Sequence, residues 1–501
     1  MSRTLHVTTN GGGVATDVGR YLDARRGRDA GGAVAERART AFALRAGGPA
    51  TGRYRLLPAL CVLAALVHGC SEPASAPEEQ APPPDPRPNI ILFLADDLGY
   101  ETLGVNGSAS YRTPSLDALA ASGVRFTNAH SQPLCTPSRV QIMTGRYNHR
   151  NYTNFNIPPE GEITFAHLLK DAGYATVVVG KWQLWGHERT WPEARGTGQL
   201  PAEAGFDDHL LWQVHAPFTA GERFADPFIE TSGSAAATVP GAYGPDLSTE
   251  FMLDFIERHV SNEPDRPFLA YFPMALTHDP FVPTPDSPGW DGDRYAEDPA
   301  YFKDMVEYMD KIVGRTVAKL EELGLRDNTL VLFTGDNGTS SAITSTMTDG
   351  RQVRGGKGQP TNAGTHVPFI ASWPARVPSG RVSDALIDFS DFLPSLAEAA
   401  GATLPTDRII DGRSFLPLLR GEVDAIRDWI FCAYTPRWGE GLPNARFARD
   451  HRYKLYDDGR FHDVANDTLE EHPLDREALE PSVAEARQRL QAVLDEMAKA
   501  T

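Results

Sequence analysis

The amino-acid sequence predicts an α/β protein: a large mixed, mostly parallel sheet with helices on both faces, then a small antiparallel sheet packed with a helix. Strand-length apolar runs alternate with helical segments between residues 88 and 410. These runs are apolar throughout, as in strands that are buried on both faces. From residue 411 to residue 501 the segments become shorter and turns separate them, which indicates the antiparallel sheet.

The first predicted strand is Asn89–Ala95, an apolar run that Pro88 precedes and two aspartates follow. Helices are predicted where apolar residues share one helical face. They cover residues 114–122, 164–172, 247–260 and 300–324, and a helix-like run covers residues 140–146. The other buried strands are predicted over residues 124–128, 175–179, 267–274, 329–334 and 367–373. Residues 186–244 are rich in glycine, proline and aromatic residues, so loops over a site are expected there.

The C-terminal subdomain, residues 411–501, is expected to contain the small antiparallel sheet. Its short strands are predicted over residues 429–434, Ala445–Arg449, Tyr453–Tyr456 and 461–464. A final helix over residues 482–500 should bury one face, which carries Leu490, Val493, Leu494 and Met497.

The first 87 residues have the composition of a leader rather than of a folded domain. Residues 53–70 contain two arginines, an apolar run and Cys70, in the order of a bacterial lipoprotein signal peptide. The apolar run, about 12 residues, is too short to span a bilayer. Residues 1–52 are expected to be a mis-assigned or disordered extension, and residues 71–87 a linker rich in proline and alanine. We expect an exported protein, either periplasmic or anchored to the membrane by a lipid on Cys70.

Charge and cysteine content narrow the class of protein. A formal net charge of −18 argues against a nucleic-acid partner, which would require a basic face. Two of the four cysteines, Cys61 and Cys70, lie in the leader, so no disulfide framework is expected. Cys432 lies in a predicted core strand. Cys135 instead precedes a helical run that contains Arg139, where an anion would be favoured, although a buried turn cysteine is the alternative.

Two strands of the predicted sheet end in pairs of oxygen ligands. Asp96 and Asp97 follow the first strand, and Asp336 and Asn337 follow the strand at residues 329–334. Because ligands bind beyond the carboxyl ends of such strands, these pairs are expected to lie side by side. Oxygen donors without imidazole or thiolate favour Ca²⁺, with Mg²⁺ as the alternative. Turn formation or helix capping would explain either pair alone.

Cationic and imidazole groups are expected at the same edge of the sheet. Lys181 and His278 each follow a predicted strand, and Lys357 lies in a glycine-rich loop. Together with Arg139 and a divalent cation, these groups would form a site for a strongly anionic group. The composition therefore favours sulfate or phosphate ester chemistry.

Five ordered motifs resemble the type I sulfatases of the alkaline phosphatase superfamily. They are Pro88-Asn-Ile-Ile with Asp96-Asp97-Leu98-Gly99, Cys135-Thr-Pro-Ser-Arg139, Gly173-Tyr-Ala-Thr with Gly180-Lys181-Trp182, Thr277-His278-x-Pro280 and Gly335-Asp336-Asn337-Gly338. The resemblance runs from about residue 88 to residue 420, and more weakly beyond. It implies an alkaline-phosphatase-like catalytic domain over residues 88–410 and the hydrolysis of a sulfate ester.

The resemblance also implies roles for the matching residues. A formylglycine-generating enzyme would oxidise Cys135 to formylglycine, whose hydrated form attacks sulfur. The implied Ca²⁺ ligands are this residue with Asp96, Asp97, Asp336 and Asn337. Arg139 would hold the formylglycine. Lys181 and Lys357 would bind the sulfate oxygens, and His278 would donate a proton to the leaving oxygen.

One position departs from the family pattern, and it leaves alternatives open. The family often has histidine after Gly-Lys-Trp, whereas this chain has Gln183, which cannot act as a base near neutral pH. Gln183 is expected to contact the formylglycine or the substrate, and the sequence does not assign it a catalytic role. The main expectation is a sulfatase acting on a sulfated carbohydrate, although a small sulfated molecule also fits. The alternatives are a phosphonate or phosphate diester hydrolase and an inactive lipoprotein that binds sulfated glycans.

Overall fold

A ten-stranded mixed sheet forms the centre of the part of the chain that the computed structural model describes, namely residues 87–186, 192–215, 221–437 and 441–499. The predicted extension (1–52), the predicted signal peptide (53–70) and the predicted linker up to residue 86 lie outside the described residues. From Arg87 onward the chain forms one structural unit. Within the described ranges, no helix has the length and apolar content needed to cross a membrane.

The strands are labelled in chain order. They are β1 (Asn89–Ala95), β2 (Val124–His130), β3 (Ala175–Lys181), β4 (Asp208–Trp212), β5 (Phe228–Thr231), β6 (Ser234–Thr238), β7 (Phe268–Pro273), β8 (Thr329–Gly335), β9 (Thr344–Thr346), β10 (Gln352–Arg354), β11 (His366–Ser372), β12 (Arg381–Asp388), β13 (Ile430–Tyr434), β14 (Ala445–Arg449), β15 (Tyr453–Tyr456) and β16 (Phe461–Asp463). The large sheet has the order β12-β2-β11-β8-β1-β7-β3-β4-β5-β6. Strands β9 and β10 pair with each other, and β13 to β16 form a second, antiparallel sheet.

The helices are labelled in the same way. They are α1 (Pro114–Ala121), α2 (Cys135–Thr144), α3 (Asn148–Asn151), α4 (Phe165–Asp171), α5 (Gly244–Asn262), α6 (Tyr301–Glu322), α7 (Asn362–Thr365), α8 (Phe392–Ala400), α9 (Leu416–Arg420) and α10 (Pro481–Lys499). Short 3-10 helices cover Tyr100–Thr102, Gly104–Asn106, Pro192–Ala194, Phe389–Asp391 and Arg476–Ala478.

The predicted fold class is confirmed. Strands β8, β1, β7, β3 and β4 are neighbours and run parallel, whereas β11 is antiparallel to both β2 and β8. The side chains of residues 90–95 are fully buried, as expected of a central strand covered on both faces. The apolar stripe predicted for α6 is also confirmed, because all five of its residues are buried: Met305, Met309, Ile312, Val313 and Leu320.

The prediction of loops over residues 186–244 is wrong in part, because β4, β5 and β6 extend the large sheet beyond β3. These strands have only 4 or 5 residues each. Glycine- and proline-rich connections surround them and hide their short apolar runs. Strand β12 was not predicted either, since its first half alternates between half-buried and exposed residues and has no continuous apolar run.

The helix predicted from residue 140 begins earlier, at Cys135. Pro137 lies in its first turn, where a missing backbone N–H breaks no intrahelical hydrogen bond. The helix ends at Gly145, whose φ of 68° is the left-handed conformation that favours glycine. Proline near the start of a helical pattern is therefore compatible with a helix that extends in the N-terminal direction.

The small sheet packs against α10. The residues predicted on the inner face of this helix are buried with apolar side chains of β13 and β15, and they are Leu490, Val493, Leu494 and Met497. The predicted boundary between residues 410 and 411 stays a prediction. Leu416, Leu418 and Leu419 of α9 lie in the same apolar core as the large sheet.

Candidate active site

Four neighbouring parallel strands, β8, β1, β7 and β3, place their carboxyl ends at one edge of the sheet. Ala95 and Gly335 are partners in register, so Asp96 and Asp336 leave the sheet side by side. The backbone N–H of Asp336 donates to the carbonyl oxygen of Ala95 at 2.8 Å. A Cβ at Gly335 would lie 2.1 Å from the carbonyl oxygen of Leu98, so this close approach requires glycine. The register explains why the two oxygen pairs meet.

Helix α2 supplies the cysteine and the arginine of the site. All ten of its residues are buried, and Cys135 is the first of them. The preceding residue, Leu134, is extended, so the chain turns sharply into the helix at the cysteine. Arg139 follows one turn later on the same side of the helix. Two residues that the sequence predicted to act together are thus positioned by one buried element.

Buried ion pairs link the helix to the strand ends. Arg139 Nε and Nη2 donate to Asp336 Oδ2 at 3.1 and 3.0 Å, and Nη2 also lies 3.5 Å from Asp96 Oδ1. Lys181 Nζ donates to Asp96 Oδ2 at 2.7 Å. Because these four side chains are at most 1% exposed, their charges act in a region of low dielectric. The pairs fix the cationic groups around the carboxylates.

A second group of contacts surrounds Asp97. Lys357 Nζ donates to Asp97 Oδ2 at 2.6 Å, and Asn337 Nδ2 donates to Asp97 Oδ1 at 2.9 Å. Lys357 Nζ also lies 2.9 Å from His278 Nε2. The structure therefore brings together every site residue that the sequence predicted, Gln183 included, and their individual roles stay predictions.

Two buried oxygens of this cluster have no hydrogen-bond partner among the described residues, namely Asp96 Oδ1 and Asn337 Oδ1. Ligand atoms of Asp96, Cys135 and Asp336 lie within 4.8 Å of one another, as do those of Asp96, Asp97 and His278. A buried oxygen without a hydrogen-bond partner destabilises the folded protein unless a bound ligand satisfies it. Converging carboxylate and amide oxygens with unused lone pairs fit a hard divalent cation.

The electrostatics also indicate missing positive charge. Burial opposes ionisation of Asp96, but Lys181, His278, Arg139 and Lys357 together hold its pKa well below the ordinary value. Burial, followed by the charge of Asp96, raises the pKa of Asp336 to about 8. Asp96 and Asp336 thus oppose each other's ionisation, and a bound divalent cation would relieve that repulsion.

The Cys135 thiol is not an activated nucleophile as it stands. Burial raises its pKa, and the opposing effect of Lys181 does not overcome this. Its Sγ lies 3.5 Å from Gln183 Oε1. The backbone of Gln183 is left-handed, with φ of 59°, as is that of Asp97, with φ of 58°. Such conformations cost about 1–3 kcal/mol and are concentrated at functional sites.

Five residues of the site line a cavity of about 320 Å³: Cys135, Lys181, Gln183, His278 and Lys357. Its walls also include residues that the sequence did not single out as sites: Leu134, Phe155, Trp212, Arg223 and Asp279. The guanidinium of Arg223 stacks on the Trp212 ring, 4.5 Å from its centroid, and lies 3.2 Å from His278 Nδ1. No motif contains Arg223, and the only signal for Trp212 was the aromatic content of its segment.

The comparisons with known proteins agree with this site. The model of the Sulfatase family matches residues 88–402. The chain belongs to the sulfatase family. A second model, for the C-terminal region of N-sulphoglucosamine sulphohydrolase, matches residues 361–499.

Individual relatives support the same assignment. Steryl-sulfatase from Mus musculus is 33% identical in an alignment 436 positions long, which covers 70% of this sulfatase and 67% of the relative. N-acetylgalactosamine-6-sulfatase from Canis lupus familiaris is 32% identical in an alignment 360 positions long, which covers 67% of this chain and 66% of the relative. A Bacteroides thetaiotaomicron structure from work on glycosaminoglycan metabolism has a TM-score of 0.65 and 25% identity, covering 81% of this chain and 99% of that one.

Proposed function

We propose that this sulfatase releases sulfate from a sulfated carbohydrate, with a formylglycine made from Cys135 and a Ca²⁺ ion bound beside it. One observation carries the proposal. The sulfur of Cys135 and the carboxylate oxygens of Asp96 and Asp336 lie within 4.8 Å of one another, and Cys135 lines a cavity together with Lys181 and Lys357. A nucleophile precursor, oxygen ligands for a cation and anion-binding lysines thus lie together.

The residues that would hold Ca²⁺ are the four oxygen ligands at the ends of β1 and β8: Asp96, Asp97, Asp336 and Asn337. The Oδ1 atoms of Asp96 and Asn337 support this assignment, since neither accepts a hydrogen bond from a described residue and each has a lone pair available. When bound, the cation would stabilise negative charge on the oxygens of the sulfate group. Arg139, Lys181 and Lys357 equal the three carboxylates in number, and a divalent cation would add the positive charge needed to bind an anionic sulfate group.

The nucleophile requires a change in Cys135, because burial raises the pKa of its thiol. The hydrated aldehyde of formylglycine would supply a hydroxyl group instead. Arg139 crosses from the helix to Asp336 and holds the two elements together. Gln183 is the polar side chain next to the Cys135 sulfur, and it can orient a hydroxyl by hydrogen bonding but cannot remove its proton.

The leaving oxygen requires a proton, and we assign its donation to His278. The Nδ1 atom of His278 lies 2.9 Å from Asp279 Oδ1, which can accept a hydrogen bond from it and orient the ring. The hydrogen bond to His278 holds the pKa of Asp279 well below its ordinary value, so Asp279 stays charged. His278 Nε2 faces Lys357, and a substrate oxygen bound by Lys357 would lie within reach of both.

A carbohydrate substrate is supported by the walls of the cavity. Trp212 and Phe155 offer rings that can pack against a sugar face, and Arg223 and Asp279 offer polar groups for its hydroxyls. One of the relatives is named for an N-acetylgalactosamine sulfate and the other for a steryl sulfate. The sugar is therefore part of the proposal and has to be tested against sterol and aryl sulfates.

The test is sulfate release from a panel of sulfated oligosaccharides, steryl sulfate and an aryl sulfate, after co-expression with a formylglycine-generating enzyme. We expect an aldehyde at Cys135 by peptide mass spectrometry and the fastest release from a sugar. Cys135→Ala should abolish release, whereas Cys432→Ala, at the other described cysteine, should retain the aldehyde.

Unmodified Cys135 in a preparation that releases sulfate would refute the proposed nucleophile. Faster turnover of a phenyl phosphonate ester than of every sulfate ester would favour the diester hydrolase instead. Bound sulfated glycan without any sulfate release would favour the inactive binding protein.

The predicted leader supports a further part of the proposal, namely export with lipid on Cys70. This prediction rests only on the sequence of residues 53–70. The mass of the mature N-terminal peptide would test it, since cleavage before Cys70 with an attached diacylglyceryl group is expected. An unprocessed N-terminus would contradict export.

A further inference from the structure

A second cavity, of about 390 Å³, lies between the large sheet and the small one. It shares no lining residue with the catalytic cavity. Its walls come from the segment after β1, the end of β2, α7, β14 and the segment after β16. The volume is within the range of sites for small organic ligands. This cavity is not needed for any step described above.

Arg449 lies in the wall of this cavity and is only 3% exposed. Its three hydrogen bonds go to uncharged oxygens: Asn362 Oδ1 at 2.7 Å and the backbone carbonyls of Asp450 and His451. A guanidinium has five N–H groups, so two remain for another acceptor. Buried arginine is normally paired with an anion, because an uncompensated buried charge is costly.

The neighbouring carboxylates compensate this charge only in part, and none forms an ion pair with Arg449 among the described residues. Glu470 is paired with Lys454 at 2.8 Å and also accepts from the backbone N–H of Asn362. Glu101 lines the cavity, but it accepts from Thr339 at 2.6 Å, and burial raises its pKa. Burial lowers the pKa of Arg449 to about 10, although the charges of Glu470 and Asp450 act in the opposite direction.

A second buried group of this cavity also lacks a partner. His130 is 3% exposed, lines the same wall, and its Nε2 atom has no hydrogen-bond partner among the described residues. Its Nδ1 lies 3.5 Å from the Thr365 hydroxyl. When Nδ1 accepts from that hydroxyl, the ring proton is on Nε2, which can then donate to a ligand.

The mouth of the cavity allows an anion to enter. Arg351 and His451 are exposed and line the cavity, and Arg351 is also paired with Asp349 at 2.7 Å. Leu469, 54% exposed, adds apolar surface beside them. The cavity thus opens to solvent between polar side chains and has unused donors in its buried wall.

We propose that this second cavity is an oxyanion-binding site, in which Arg449 and His130 bind a sulfate group. The group comes either from free sulfate, the product of the enzyme, or from a sulfated sugar residue that is not being cleaved. One backbone hydrogen bond connects the wall of this cavity to the segment that carries Lys357. Ala363, in the wall of this cavity, accepts a hydrogen bond from the backbone N–H of Gly356 at 3.1 Å.

Crystals of the unmutated protein soaked in selenate provide the direct test, because selenium marks the anion by anomalous scattering. We expect one peak beside Lys181 and Lys357 and a second peak within hydrogen-bond distance of Arg449 and His130. A peak in the catalytic cavity without one in the second cavity would overturn the proposal.

Calorimetric titration with inorganic sulfate, N-acetylglucosamine 6-sulfate and unsulfated N-acetylglucosamine distinguishes the two sources. Arg449→Met and His130→Phe should each weaken binding at the second site about tenfold or more, the effect of losing a hydrogen bond to a charged ligand. Arg460→Met is the matched control, since Arg460 is half exposed and outside both cavities. Equal binding by Arg449→Met and Arg460→Met would refute the site.

Discussion

Two fully buried lysine–carboxylate pairs in this molecule differ in one respect. Lys454 of the small sheet lies 2.8 Å from Glu470, and Lys181 lies 2.7 Å from Asp96 in the candidate active site. Lys454 also donates to the Pro360 carbonyl and lies 3.9 Å from the Phe447 ring centroid. Both carboxylate oxygens of Glu470 accept hydrogen bonds, whereas Asp96 Oδ1 accepts none among the described residues.

The difference separates a structural charge pair from a ligand site. A buried pair whose atoms are all satisfied by the protein holds two segments together and needs nothing further. A buried pair with an unused lone pair is complete only when a ligand binds. The predictions below compare isosteric changes in the two regions, beginning with the largest expected effect.

Asp96→Asn should remove the cation site. The amide oxygen of the asparagine would face Lys181, so its NH₂ group would take the place of Oδ1, the oxygen that accepts no hydrogen bond from a described residue. An NH₂ group has no lone pair to offer a cation. We expect sulfate release to fall by about a thousandfold or more, about 4 kcal/mol of barrier, because electrostatic stabilisation of the transition state is lost. Turnover assays at saturating calcium measure this, and turnover within about tenfold of the unmutated enzyme would argue against a cation held by Asp96.

Glu470→Gln makes the same change, from a carboxylate to an amide, in the Lys454–Glu470 pair. It leaves the charge of Lys454 buried without its partner, so the free energy of unfolding should fall by about 3 kcal/mol. Urea unfolding measures the loss, and the calcium content should not change. Normal stability together with lost calcium would reverse the roles that we assign to the two regions.

Gln183→His should accelerate turnover by roughly tenfold, because histidine can take a proton that glutamine cannot. Gln183→Ala provides the control, since it removes the contact between Oε1 and the Cys135 sulfur without adding a base. The rate against pH should gain an inflection in the histidine variant only. Equal rates for the two variants would mean that proton removal at this position does not limit turnover.

His149→Phe should change stability only in acid. Burial lowers the pKa of His149 from 6.5 to about 4, and neither ring nitrogen has a hydrogen-bond partner among the described residues. The unfolded chain therefore binds a proton that the folded protein does not, and stability falls as the pH decreases from 6.5 towards 4. Unfolding curves of the variant should have a shallower pH dependence in that window, and an unchanged dependence would exclude His149 as its source.

The sequence predicts most of the site because strand ends are recognisable locally. Asp96, Lys181, His278 and Asp336 each follow an apolar run, and one parallel sheet is enough to bring such positions to a common edge. Their ion pairs could not be predicted, since the distances depend on the register of neighbouring strands and on the direction of each side chain.

The rest of the site depends on contacts distant in sequence. Arg223 meets His278 across 55 residues and stacks on Trp212 from a segment without a motif. Strands β4 to β6 escaped prediction for a similar reason, as their short runs become strands only by pairing beyond β3. Likewise, Arg449 has an ordinary strand sequence around it, and only the structure shows that it lacks a carboxylate partner.

The measurement that tests the central claim most directly is the metal content of the unmutated protein and of Asp96→Asn and Glu470→Gln, by elemental mass spectrometry after dialysis against calcium. We predict one calcium ion per chain in the unmutated protein and in Glu470→Gln, and none in Asp96→Asn. A protein that releases sulfate without a bound divalent ion, or an Asp96→Asn variant that retains calcium, would contradict the account.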